Sequence, residues 1–325
     1  MEHKQKEKIT KFGLRQDLII SEAAVLDYHS RCIANLRFLA NEPDAIMDEN
    51  LLAAAVVLRF YEELDSPFIE IPTDAATRGL QMFIEAQASL ALSSSGLRYA
   101  AFWVGFRQEF HMAFSQQRPF RLSLDTYDTY LSWGPAPDHV LVNRLLIIAA
   151  HVVQYCYDDR AQQSHSLYED LVALYNRWLE ERPLALLPVY SESPDRKKGL
   201  IFPQKWFLND CHIVAEQSVG LVEILLTAYD PTTARVGPGQ KTAMESIDSR
   251  LKSTVLSICG AALSNRQEPT ALLTACIAIA ICGDRFTDIR EQEALMDIVV
   301  NSVCDNNYWP SNALREKLRT AWGWE

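Results

Sequence analysis

Paired cysteines, glycine-rich loops and long apolar runs are scarce in this sequence, and each scarcity excludes a class of function. The seven cysteines are Cys32, Cys156, Cys211, Cys259, Cys276, Cys282 and Cys304. Their number is odd and no two form a C-x-x-C pair, so neither a disulfide framework nor a structural zinc site is expected. The glycines build no G-x-G-x-x-G and no G-x-x-x-x-G-K-[ST] loop. The run Val236-Gly237-Pro238-Gly239 carries a proline where a phosphate cradle needs backbone donors, and it reads as a turn. There is no G-x-S-x-G elbow and no H-E-x-x-H helix. Asp158-Asp159 lacks the third carboxylate of an aspartate-rich metal motif. Ile213 and Gln217 stand where a second such motif after Asn209 wants oxygen ligands. No metal and no cofactor is expected. Residues 1–16 are basic and polar with no apolar stretch after them, which is not a signal peptide. The longest apolar stretch, 271–282, is well short of the roughly 20 residues that cross a bilayer. The expectation is a soluble protein with no membrane partner.

Charge is also one-sided. Lys plus Arg is 31 against 42 Asp plus Glu, a formal net charge of −11. That balance opposes a nucleic-acid surface over the whole fold. Apolar residues at 48% and charged residues at 22% describe an ordinary globular chain. At 325 residues it can bury a large core without staples.

What is present is helical periodicity. It predicts helices over 21–39, 48–61, 73–92, 97–117, 138–157, 161–181, 206–229, 242–264, 269–283, 288–304 and 311–322. The fold class is therefore all-α: one large multi-helix domain over 17–325 after a basic tail of 1–16. A long central loop, 183–205, carries four prolines and the triplet Arg196-Lys197-Lys198; loops of that length are usually lids or disordered excursions. Asp284-Arg285 and Arg290-Glu291 read as local ion pairs around a helix end at Gly283 and a cap at Asp288.

Polar residues inside apolar helices are the candidates for chemistry. Arg107 and His111 are one turn apart, with Trp103 one turn earlier, so the three share a helix face. His151 and Tyr155 repeat that spacing on a second apolar helix. These four are the candidate catalytic residues; Trp103, Gln108, Phe114, Trp206 and Asp210 are the candidate substrate-binding residues. An aromatic wall with few polar groups suits a small-molecule site, although a histidine on an apolar face is more often a hydrogen-bonded core residue.

Three segments resemble the regulatory region of fungal zinc-cluster transcription factors: LLAAAVVLRFYEEL at 51–64, WVGFRQE at 103–109 and CGDRFTDIREQE at 282–293. The likeness covers roughly residues 20–310 and implies an all-α regulatory fold, fungal origin and often a small effector. The family's six-cysteine zinc cluster has no counterpart, since Cys32 is the sole cysteine before Cys156. DNA binding by that mechanism is not expected. Two readings follow. The chain is similar to all-helical hetero-Diels–Alder cyclases of tropolonic sesquiterpenoid pathways, which implies a cytoplasmic enzyme for terpenoid or polyketide substrates. Alternatively it is a regulator without its zinc cluster, nuclear, binding an effector or another protein. A homodimer is compatible with both.

Overall fold

The computed structural model describes residues 21–39, 45–65, 74–127, 130–158, 164–234, 236–306 and 311–324. The basic tail of 1–16 lies outside them. Eleven α-helices appear among the described residues. We label them α1 Glu22–Leu39, α2 Glu49–Asp65, α3 Asp74–Ser93, α4 Leu97–Ser115, α5 Asp138–Tyr157 and α6 His165–Glu181. After a short hairpin, β1 Tyr190–Glu192 and β2 Gln204–Trp206, follow α7 Asp210–Ala228, α8 Gln240–Ser264, α9 Pro269–Cys282, α10 Ile289–Asn306 and α11 Ser311–Trp322. The all-α expectation holds, and the periodicity located every helix to within a few residues.

Helix α5 is the axis of the core. From Val142 to Cys156 its side chains are buried almost all round, the pattern of a helix enclosed by others rather than lying on a surface. Its first turn meets the first turn of α7 through Asp138 and His212, and its last meets the last of α7 through Tyr157 and Tyr229. The two helices therefore run parallel. Helix α6 returns antiparallel, with Tyr168 donating to the Leu226 carbonyl at one end and Trp178 Nε1 donating to the Leu141 carbonyl at the other. Helices α5 and α7 are long and apolar enough to cross a membrane, with mean hydropathy 1.4 and 1.3, so the reading that no segment reaches that length is corrected. In each, 72% of the apolar window is buried inside the fold, as in core helices.

Helix α9 begins at Pro269, where the missing N–H costs nothing, after Glu268, whose carboxylate caps Thr270. Gln217 of α7 is 2% exposed and donates to both the Ile258 and Ala271 carbonyls, pinning α7, α8 and the head of α9 together. The heads of α5, α7 and α9 thus gather at one end of the bundle.

The 183–205 segment is not a loose excursion. Its strands pair antiparallel, Tyr190 with Trp206 and Glu192 with Gln204. Asn265, fully buried at the end of α8, donates to the Lys205 carbonyl and accepts from the Phe207 amide; Ser264 accepts from the Lys205 amide. Lys205 itself pairs with Glu216 and Ser257, and Arg196 with Glu291 of α10. Apart from Glu216, the side-chain partners of this segment are more than 50 positions away in sequence, which is why composition suggested freedom. Around Gly283 the expected local pairing holds for Arg290 with Asp288 at 3.5 Å and is corrected for Arg285 and Glu291. Arg285 pairs with Asp248 of α8 and Glu291 with Arg196, whereas Asp288 does cap its helix by accepting from the Arg290 amide at 2.9 Å.

Candidate functional site

The site is built on α4. An apolar ridge of Phe102, Phe106, Phe110 and Phe114, all fully buried, fastens this helix into the core. Rigid anchoring of that kind fixes the direction of the polar residues between them. Tyr99, Trp103, Arg107 and His111 follow one another at intervals of four, one turn each, along a neighbouring stripe.

At the head of that stripe is a network. The Tyr99 hydroxyl lies 2.9 Å from the Tyr130 hydroxyl and accepts from Asn143 Nδ2 at 2.9 Å. Burial, reinforced by the Tyr99 contact, pushes the Tyr130 hydroxyl well above its ordinary pKa. The Trp103 ring sits against Tyr99, Phe102, Phe106 and Tyr130 at centroid distances of 5.3–6.2 Å. It is 2% exposed, and its Nε1 has no hydrogen-bond acceptor among the described residues. An orphaned buried donor of this type costs about 1–3 kcal/mol, a penalty that an oxygen-bearing ligand would relieve.

One turn on, the partly buried Arg107 forms no hydrogen bond and no ion pair with a described residue. Burial lowers its pKa; the fields of Glu268 at the head of α9, Tyr99, and Cys211 at the head of α7 oppose that shift. A guanidinium remains protonated through any ordinary perturbation, so the site holds a fixed cation. His111 follows. Burial first, and then the neighbouring Arg107 charge, lower its pKa to about 4. Its imidazole is therefore neutral near pH 7, packed 5.6 Å from the Phe110 ring.

That shift has a sign in stability. The unfolded histidine titrates near 6.5 and the folded one near 4. Between these values the unfolded chain binds a proton that the native one refuses, so stability falls as pH drops through the window. The loss is expected to reach about 3 kcal/mol by pH 4. Urea melts at pH 7, 5.5 and 4 measure it, and a His111→Gln chain should show a shallower decline.

The remaining sequence candidates fall elsewhere. Gln108 turns toward α2, donating to the Val56 carbonyl at 3.3 Å, and lines a pocket of about 20 Å³ that has room for one water. Phe114 is enclosed in the core ridge. Tyr155 is buried against Tyr168 at 5.8 Å near the far end of α5, with His151 one turn before it, partly buried. Trp206 is half exposed on β2, and Asp210 is exposed on the first turn of α7. Arg107, His111 and Trp103 are thus the set that the structure gathers. Tyr99, Tyr130 and Asn143 complete it and were missed. Tyr99 continues the same four-residue spacing and could have been found.

Beside this set, His212 Nε2 lies 2.8 Å from Asp138 Oδ2, and its buried Nδ1 has no partner among the described residues. Cys211, next to it, is a thiol raised chiefly by burial and by the Asp138 and Asp210 charges. Among the described residues no group of three or more His, Cys, Asp and Glu could hold a metal ion. No family model matches the chain, and no curated protein or solved structure does.

Proposed function

We propose that the chain is a cyclase for apolar terpenoid or polyketide substrates. It would convert a hydroxymethyl tropolone or phenol to a quinone methide and add it to a humulene-type polyene. The observation supporting this reading is the α4 stripe. A fixed cation without an acceptor stands between an orphaned indole N–H and a neutral imidazole, all on a helix locked into an aromatic core.

Such a stripe suits a ring with one acidic oxygen. Arg107, assisted by the Trp103 N–H, holds that oxygen as it gains negative character. Neutral His111 takes the ring hydroxyl's proton. The resulting imidazolium is strongly acidic, because its pKa is about 4, and hands the proton to the departing hydroxymethyl oxygen. Substrate thereby becomes quinone methide plus water, with no net proton gained or lost. Placement of the polyene against the methide then accounts for the cycloaddition, and positioning of this kind is worth roughly 7–11 kcal/mol.

Purified protein incubated with a hydroxymethyl tropolone and humulene is expected to give an adduct one water lighter than the summed reactants. Boiled protein should give none. Saturable binding of the tropolone without any adduct would replace the enzyme reading with the effector-binding regulator.

A further inference from the structure

A concave site lies apart from the α4 stripe, where the loop before α5 faces the end of α6. It is a pocket of about 470 Å³, within the usual size range of small-molecule sites. Trp133, Trp178, Leu141 and Pro183 form its apolar walls. Both indoles are held in place. Trp178 donates to the Leu141 carbonyl at 2.9 Å, and the Arg177 guanidinium lies 4.2 Å from the Trp133 ring.

The charges on its wall are unusual. Arg144 is only 8% exposed, yet it has no acidic partner within 4 Å among the described residues. Its Nε donates to the Tyr130 carbonyl, one Nη to the Gly134 carbonyl and the other to Ser132 Oγ, at 3.0–3.3 Å. One N–H on each terminal nitrogen remains, the spacing that a carboxylate engages with both oxygens. Burying a guanidinium among neutral acceptors alone is costly, and an anion offsets that cost. The acids of the pocket are already engaged: Glu181 with Arg177 at 2.8 Å, and Asp138 with His212. Arg182, also on the wall, forms no ion pair with a described residue.

From this we infer that the pocket between Trp133 and Trp178 is a binding site for a flat aromatic carboxylate, whose carboxylate sits on Arg144 and Arg182. The two cations select the charge, and the two indoles select a ring over an aliphatic acid. The site is independent of the cyclase reading and stands whether or not that reading survives.

The test uses benzoate as probe and benzamide as its neutral counterpart, with tryptophan fluorescence and calorimetry as readouts. Benzoate is expected to saturate the protein and to bind at least about tenfold more tightly than benzamide. Arg182→Gln should weaken benzoate by about fivefold or more, and Trp133→Ala should weaken both probes. Arg144→Lys should weaken it too; because that change also loosens the 130–134 loop, Arg182→Gln is the deciding variant. Arg107→Met should leave benzoate affinity unchanged. Equal affinity for the two probes, no saturation, or loss in Arg107→Met with none in Arg182→Gln would each overturn the assignment.

Discussion

Replacing Gly260 with alanine is expected to destabilise the protein by about 3 kcal/mol, a fall in melting temperature of roughly 6 °C. The β-carbon would stand 2.2 Å from the Pro203 carbonyl oxygen and 2.8 Å from two Pro203 ring carbons. Backbone cannot step aside as a flexible side chain can. The hairpin would have to lift, stretching the Asn265 and Ser264 bonds that hold Lys205 and Phe207 to α8. Gly105→Ala is the control. Its closest contact, at 2.6 Å, is the terminal methyl of Ile84, which can rotate, so the loss should be clearly smaller. Thermal melts of the two variants side by side check both the size and the order of the effects.

Arg107→Met carries the second large expected effect, a loss of about 10²–10³ in turnover of the tropolone substrate. Methionine keeps much of the volume and removes the charge, so folding should survive. The guanidinium has no hydrogen bond or ion pair to a described residue that would be broken. A partly buried cation without a partner among the described residues is a cost to the fold, so stability should stay level or rise while turnover falls. Melting curves and initial rates on the same preparation separate the two quantities. The substitution also removes the charge that helps depress His111, and the histidine's pKa should move up toward 6.5.

How much of this could be read from the residues differs between fold and site. Helices are specified locally. The run from Val142 to Cys156, the Asp138 start, and Pro269 after a capping Glu268 all announce themselves within a few residues, and the helices lie where the periodicity put them. The hairpin and the Gly283 region depend instead largely on partners remote in sequence, such as Lys205 with Ser264 or Arg196 with Glu291. No local pattern carries that information. Within the site, four-residue spacing was enough to group Trp103, Arg107 and His111. It could not bring in Tyr130 and Asn143, which arrive from the loop and from α5 through hydrogen bonds to Tyr99. Gln108, next to Arg107 in the sequence, faces away from the stripe for a geometric reason. One residue along a helix turns the side chain by about 100°, and here that turn faces it to α2.

The central claim is that the α4 stripe receives an acidic ring oxygen on Arg107, and the ionisation state of a bound tropolone tests it most directly. The absorption of tropolone shifts to longer wavelength on ionisation, so the spectrum of the bound ring at a pH below its own pKa reports whether a cation holds its oxygen. The account predicts a tropolonate spectrum that saturates with the native protein and disappears with Arg107→Met, while Arg182→Gln leaves it intact. A neutral-tropolone spectrum with the native protein, or the same ionised spectrum with and without Arg107, would contradict it.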